Sequence, residues 1–209
     1  MRQTLMVCCP GDMINAGTVQ SLIGFIYALQ HNWNVHLLLG GRVGIYATRN
    51  DALGGLPVNS VEVCPFQNIP YDYILWVDND MVFTSDDFHA LLKHDTDVVS
   101  GLYHNTPFTY CAAKTQTWDR KEYDFLDDKN IKGKKLIEVS WAGFGFMLVK
   151  NGVFEALGYP WFKQSIIKNR GFDEAGAEDE SFGYRIQHET DYTIYVDPTV
   201  KLKHLKLGG

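Results

Sequence analysis

The sequence predicts an α/β fold: a parallel-sheet half up to about residue 100, then a mixed half. Three features predict it. Strand-like apolar runs alternate with helix-periodic segments in the first half. Those runs close on glycines or carboxylates, the punctuation of strand-to-loop turns. The 209 residues suit a single domain, and no internal repeat or low-complexity tract divides them.

Residues 4–9 read as a buried strand ended by Pro10-Gly11. Residues 18–30 place Val19, Leu22, Ile23, Ile26 and Leu29 at helical spacing. Residues 34–39 form a second strand, closed by Gly40-Gly41. Residues 43–53 read as a helix ending at Gly54-Gly55, and 61–64 as a short strand. Residues 71–77 are rich in aromatic and β-branched side chains and predict another strand. Ser85 is expected to cap a helix running to Leu92, with Asp86 and Asp87 favoured in its first turn by the helix dipole. In the second half, 97–103, 109–114 and 136–150 read as strands, with a polar loop over 119–135. A helix over 153–157, an irregular stretch to Ala177, a helix over 178–189 and a strand over 192–196 complete the chain.

Hydrophobic residues make up 45% and charged residues 21%, enough for a core without covalent staples. The formal charge of −6 argues against a nucleic-acid binder, which needs clustered cations. The one dense basic stretch, 129–135, reads as a solvated loop. Cys8, Cys9, Cys64 and Cys111 form no C-x-x-C pair, so reduced core thiols are expected rather than a zinc site. No signal peptide or membrane-spanning run is present, which gives a cytoplasmic expectation without direct membrane insertion. Any membrane contact is then expected from a partner or from further domains of a longer chain.

The most informative segment is Tyr73-Ile74-Leu75-Trp76-Val77-Asp78-Asn79-Asp80. A hydrophobic strand runs into two carboxylates spaced i, i+2, which in extended backbone point to one side. Ligands of open α/β sheets bind at the carboxyl ends of strands. Two carboxylates and the oxygens of a diphosphate make a hard site suited to Mg²⁺ or Mn²⁺. Asp-Asn-Asp is equally good turn chemistry.

This segment resembles the D-x-D motif of GT-A-fold glycosyltransferases, and three further segments resemble that superfamily in order and separation. They are Ala47-Thr48-Arg49-Asn50, the strand Trp141-Ala142-Gly143-Phe144-Gly145-Phe146, and Ala177-Glu178-Asp179-Glu180. The resemblance spans residues 5–204 and implies one GT-A domain with a Rossmann-like nucleotide half and an acceptor half. It implies a metal held by Asp78, Asp80 and His204, with Asp78 contacting ribose, metal or both. Arg49 would pair with a phosphate or brace the triplet. The donor would also meet Pro10, Gly11, Asp12, Asn50 and Asn79, while Trp141 and Gly143 would line the sugar's approach. Asn79 departs from the aspartate common at the centre of the triplet. The compact size is also similar to glycosyltransferase domains of large DNA viruses, including those acting on chlorovirus capsid glycans. That likeness implies a deoxyhexose such as rhamnose and a host-cytoplasmic setting.

The implied reaction moves a sugar from a nucleotide-sugar, UDP by superfamily habit, to a glycan hydroxyl. Asp179, with Glu178 second, would deprotonate the acceptor in an inverting enzyme or orient it in a retaining one. The alternatives are a non-catalytic nucleotide-sugar-binding module, a sugar-phosphate nucleotidylyltransferase and a metal-dependent phosphohydrolase. The nucleotidylyltransferase reading is weakened because Cys9-Pro10-Gly11-Asp12 lacks its Gly-rich, Arg-containing signature. Gly40-Gly41 is not G-x-G-x-x-G, which disfavours a dinucleotide dehydrogenase.

Overall fold

The computed structural model describes residues 2–41, 44–55, 63–115, 118, 123–169 and 172–205. Its first half follows the alternation of strand and helix: β1 (Gln3–Pro10), α1 (Ala16–Leu29), β2 (Trp33–Gly40), α2 (Ile45–Ala52) and β3 (Tyr73–Val77). Of the short strand expected over 61–64, residues 61 and 62 lie outside the described residues, as do 42 and 43 before α2. A two-residue strand β4 (Met81–Val82) follows the acidic triplet, then α3 (Ser85–Leu92). The cap of α3 is Thr84, one residue earlier than expected. Its hydroxyl accepts from the Asp87 amide while the Asp87 carboxylate takes the Thr84 amide, a reciprocal box that Ser85 could not form without shifting the register.

The second half contains β5 (Val98–Leu102), β6 (Ala112–Thr115), β7 (Tyr123–Phe125), β8 (Ile137–Val139), β9 (Trp141–Ala142) and β10 (Phe146–Lys150). Then come α4 (Val153–Leu157), β11 (Ile166–Asn169), β12 (Phe172–Ala175), α5 (Glu178–Glu189), β13 (Ile194–Lys201) and β14 (Lys203–His204). Three expectations are corrected. Within the polar loop expected over 119–135, β7 pairs antiparallel with β6. The run 136–150 is three strands in two sheets, because the chain breaks around Gly143–Gly145 to leave room for the Tyr103 ring. The stretch before Ala177 carries the antiparallel hairpin β11–β12.

Seven strands form one mixed sheet in the order β2-β1-β3-β10-β5-β13-β8. β1 pairs in parallel with β2 and β3, and β5 in parallel with β13, while β10 runs antiparallel between β3 and β5. The inner strands β1, β3, β10 and β5 are buried on both faces, as continuous apolar runs require, while the edge strand β2 is largely exposed. One face packs Leu5, Val7 and Leu75 against Leu22, Phe25 and Leu29 of α1 and Phe88 and Leu91 of α3. The other packs Met6, Cys8 and Trp76 against α4 and α5 through Phe154, Leu157, Phe182 and Ile186. This mixed α/β architecture is compatible with a Rossmann-like nucleotide-binding fold.

The chain leaves β1 for β2 through α1 and returns from β2 to β3 through α2. The carboxyl ends of β1 and β3 therefore open a crevice where the connections diverge, which is where ligands bind in such sheets.

Candidate active site

A cleft of about 350 Å³ lies at that crevice. Pro10, Gly11 and Asp12 from the end of β1, Asp78, Asn79 and Asp80 after β3, Arg49 on α2, Glu178 on α5 and His204 on β14 all line it. The triplet is not extended. The Met81 amide donates to the Asp78 carbonyl at 3.3 Å, so residues 78–81 form a turn. The same-side argument for an i, i+2 pair in extended backbone therefore does not apply, yet the turn leaves both carboxylates lining the cleft.

Each carboxylate has a distinct partner. Arg49 Nη2 donates to Asp78 Oδ1 at 3.0 Å and to Glu178 Oε1 at 3.3 Å. The guanidinium is buried and lies over Phe144 at 4.6 Å and Trp76 at 5.4 Å. Arg49 thus ties the end of β3 to the first turn of α5 from beneath, with aromatic faces supporting its charge. Its Nε and Nη1 have no hydrogen-bond partner among the described residues. Asp80 Oδ2 faces His204 Nε2 at 2.9 Å, with both side chains about one-fifth exposed. The His204 Nδ1 faces the His104 carbonyl at 3.4 Å, and Tyr103 meets the imidazole edge-on at 5.3 Å.

Could these residues hold a divalent ion? Among the described residues no three His, Cys, Asp or Glu side chains converge into a ready-made cage. Asp80, His204 and the uncommitted Oδ2 of Asp78 are a carboxylate and imidazole set that fits Mn²⁺ or Mg²⁺, provided that a ligand completes the coordination.

Asn79 braces the neighbouring loop. Its amide donates to the Met13 carbonyl at 2.6 Å, and its carbonyl accepts from the Asn15 amide at 2.8 Å. Gly11 sits at φ 136° with its Cα against the Asn79 side chain, so no larger residue fits that approach. Gly41, Gly44, Ile45 and Thr48 complete the wall; Gly41 was expected only as a strand end and Thr48 only within the Arg49 motif, and Gly44 and Ile45 were not expected there. Gly44 precedes α2 without any side-chain cap. The first amides of α2 belong to the cleft wall, an arrangement suited to anions. The legible signal was the glycine-rich link between a strand and a helix, Gly40-Gly41 to Gly44.

Asp179, next to Glu178 in the first turn of α5, does not itself line the cleft. Its Oδ1 accepts from the Glu180 amide at 2.8 Å, and its Oδ2 lies 3.9 Å from Cys111 Sγ. Burial, then the adjacent Glu178 charge, pushes the Asp179 carboxyl up to about 7. Cys111 is itself pushed up to about 12 by burial, then by Asp179, so it is a neutral thiol. Tyr103, Cys111 and His104 were not anticipated; nothing in their local sequence marks them.

Three residues assigned to the donor lie elsewhere. Asn50 is buried behind α2, where its amide donates to the Phe162 and Tyr46 carbonyls at 2.6 and 2.8 Å and accepts from the Phe162 amide at 3.0 Å. It is a staple between α2 and the segment after α4. Trp141 is buried between Tyr123 and Phe125, with Gly183 of α5 packed on it. Gly143 is small because the Tyr103 hydroxyl and Cys111 occupy the space a Cβ would need.

No family model matches the chain, and no curated protein matches it. Solved structures do share its fold. A197 from STIV superposes at a TM-score of 0.59 with 21% identity, covering 99% of this chain and 86% of its own. A mycobacterial protein superposes at 0.52 with 11% identity, covering 99% of this chain and 68% of its own. The inositol-1-phosphate CTP transferase from T. maritima gives 0.42 at 10% identity, covering 94% and 85%, which is too loose to bear on the fold.

Proposed function

We propose that this chain is a metal-dependent glycosyltransferase of the GT-A type. It would transfer a sugar from a nucleoside-diphosphate donor, UDP-linked first of all, to a hydroxyl of a glycan. The carrying observation is the convergence of Asp78, Asp80, His204, Glu178 and the uncapped start of α2 on one cleft at the carboxyl ends of β1 and β3.

In this reading the α2 amides around Gly44 and Ile45 face the diphosphate. Asp80 and His204, joined by Asp78, hold Mn²⁺ or Mg²⁺, which when bound neutralises charge on the departing diphosphate. Arg49 fixes Asp78 and Glu178 so that neither drifts when the ligand arrives. Asp179, with a carboxyl near 7, has the basicity to accept a proton from an acceptor hydroxyl at neutral pH. In a retaining enzyme the same group would orient the acceptor. A deoxyhexose such as rhamnose is the first donor sugar to try.

The test is calorimetric titration with UDP, GDP, CMP and TDP, with and without Mn²⁺, followed by donor turnover. Manganese-dependent binding of UDP, weakened more than about tenfold by Asp80→Ala, supports the reading. Binding indifferent to both manganese and Asp80 overturns it. Binding without transfer to any acceptor, or release of free phosphate, points to the non-catalytic or phosphohydrolase alternatives.

A further inference from the structure

We propose that the ordered loop 127–135, with the adjoining turn at Phe108, docks this protein on an anionic membrane surface. The loop is built, not slack. The Asp127 carboxylate accepts from the amides of Lys129 and Asn130 at 2.9 and 2.8 Å. The Asn130 side chain returns a bond to the Asp127 amide at 2.9 Å and another to the Phe125 carbonyl at 3.1 Å. Ile131 is buried and anchors the centre.

This frame presents Lys129, Lys132, Lys134 and Lys135 to solvent. None of the four ammonium groups has a hydrogen bond or ion pair among the described residues. The nearest acids are committed: Asp127 to the loop amides, and Asp128 to the Tyr110 hydroxyl at 2.7 Å and Lys201 at 3.1 Å. In a chain of net charge −6, this gathers four lysines within seven positions, 129–135.

The second observation is apolar. Phe108 is 82% exposed, more than any other large hydrophobic side chain among the described residues. It sits in a turn closed by the His104–Tyr110 bridge and by Thr106, whose hydroxyl takes the Phe108 and Thr109 amides. Tyr110 joins that turn to the lysine loop through its amide on the Leu126 carbonyl and its hydroxyl on Asp128. Lysines beside a protruding aromatic match the two components of an anionic bilayer, headgroup charge and apolar interface. A hydrated polyanion would use the lysines and leave Phe108 in water. The contact proposed is peripheral; among the described residues no helix is long and apolar enough to cross a membrane.

Each lysine near an anionic leaflet is worth roughly a fivefold gain in partitioning, and four compound to a hundredfold or more. The test is co-sedimentation with vesicles of phosphatidylcholine alone and of phosphatidylcholine mixed with phosphatidylserine. The wild type is expected to pellet with the mixed vesicles and not with the neutral ones. Changing all four lysines to Gln should lower partitioning by about a hundredfold, whereas changing them to Arg should preserve it. Phe108→Ser should lower it with the lysines intact, and thermal melts would establish that every variant is folded. Equal binding to both vesicle types, or capture by heparin without vesicle binding, overturns the proposal. The outcome is independent of the transferase reading, because nucleotide binding should survive the Gln variant.

Discussion

His204 Nε2 stands 2.9 Å from Asp80 Oδ2 although 124 positions separate the two residues. Backbone pairing builds this contact. β14 lies antiparallel to β4, with His204 opposite Met81, and the Leu205 amide donates to the Asp80 carbonyl at 2.7 Å. The end of the described chain is thereby fastened to the acidic turn, and the imidazole arrives as a consequence.

His204→Gln should therefore leave the fold intact while weakening manganese affinity by about tenfold or more. The backbone pairing does not need the ring, so the melting temperature should barely move. Titration of Mn²⁺ in the presence of UDP measures the affinity. Unchanged affinity would separate His204 from the metal.

Arg49→Met should destabilise the protein by about 3 kcal/mol, because Asp78 and Glu178 would lose their shared cation. Arg49→Lys should recover little of this, since a compact ammonium cannot reproduce the planar guanidinium lying on Phe144 and Trp76. Urea melts at neutral pH give the comparison.

Asp179 supplies a pH signature. Its folded carboxyl, near 7, lies above the unfolded value near 3.8. Between those values the folded protein holds a proton that the unfolded chain has released, so this group's contribution to stability falls as pH rises from about 4 to 7 and is flat above. Asp179→Asn removes the penalty and keeps an oxygen for the Glu180 amide. The variant should gain stability over wild type across that window, by at most on the order of 4 kcal/mol at pH 8. If Asp179 is the base, wild-type turnover should rise through about pH 7 and the Asn variant should lose it.

Asn50→Ala should cost about 2–4 kcal/mol, since it leaves the Phe162 amide and carbonyl buried without their partner. Nucleotide affinity measured well below the melting temperature should stay within about twofold, as expected for a staple behind the cleft.

Much of the frame was legible because it rests on local rules. The strand ending at Val77, the helix over Glu178–Glu189 and the alternation around Ala16–Leu29 follow from periodicity and capping. The neighbourhood of Asp78, Asp80, Arg49, Glu178 and His204 followed from motif order. Tertiary packing set what was missed. Asn50 and Gly143 sit inside motifs that face a ligand in the resembled superfamily, yet here Phe162 and Tyr103 claim them. A single sequence does not reveal which neighbour across the fold will occupy a small or amide side chain. The hairpin over β11–β12 was missed because its strands are short and its exposed β12 carries no alternation. The glycine-rich link ending at Gly44 was legible, but that its helix start lacks a side-chain cap shows only once the backbone is placed.

In the proposed site Asp80 and His204 would hold a divalent ion against a diphosphate lying at the start of α2. Anomalous diffraction at the manganese edge, from crystals grown with Mn²⁺ and UDP, locates that ion. One strong peak is expected within bonding distance of both side chains and of the diphosphate oxygens. A peak at any other place, or a diphosphate bound away from Gly44 and Ile45, would contradict it.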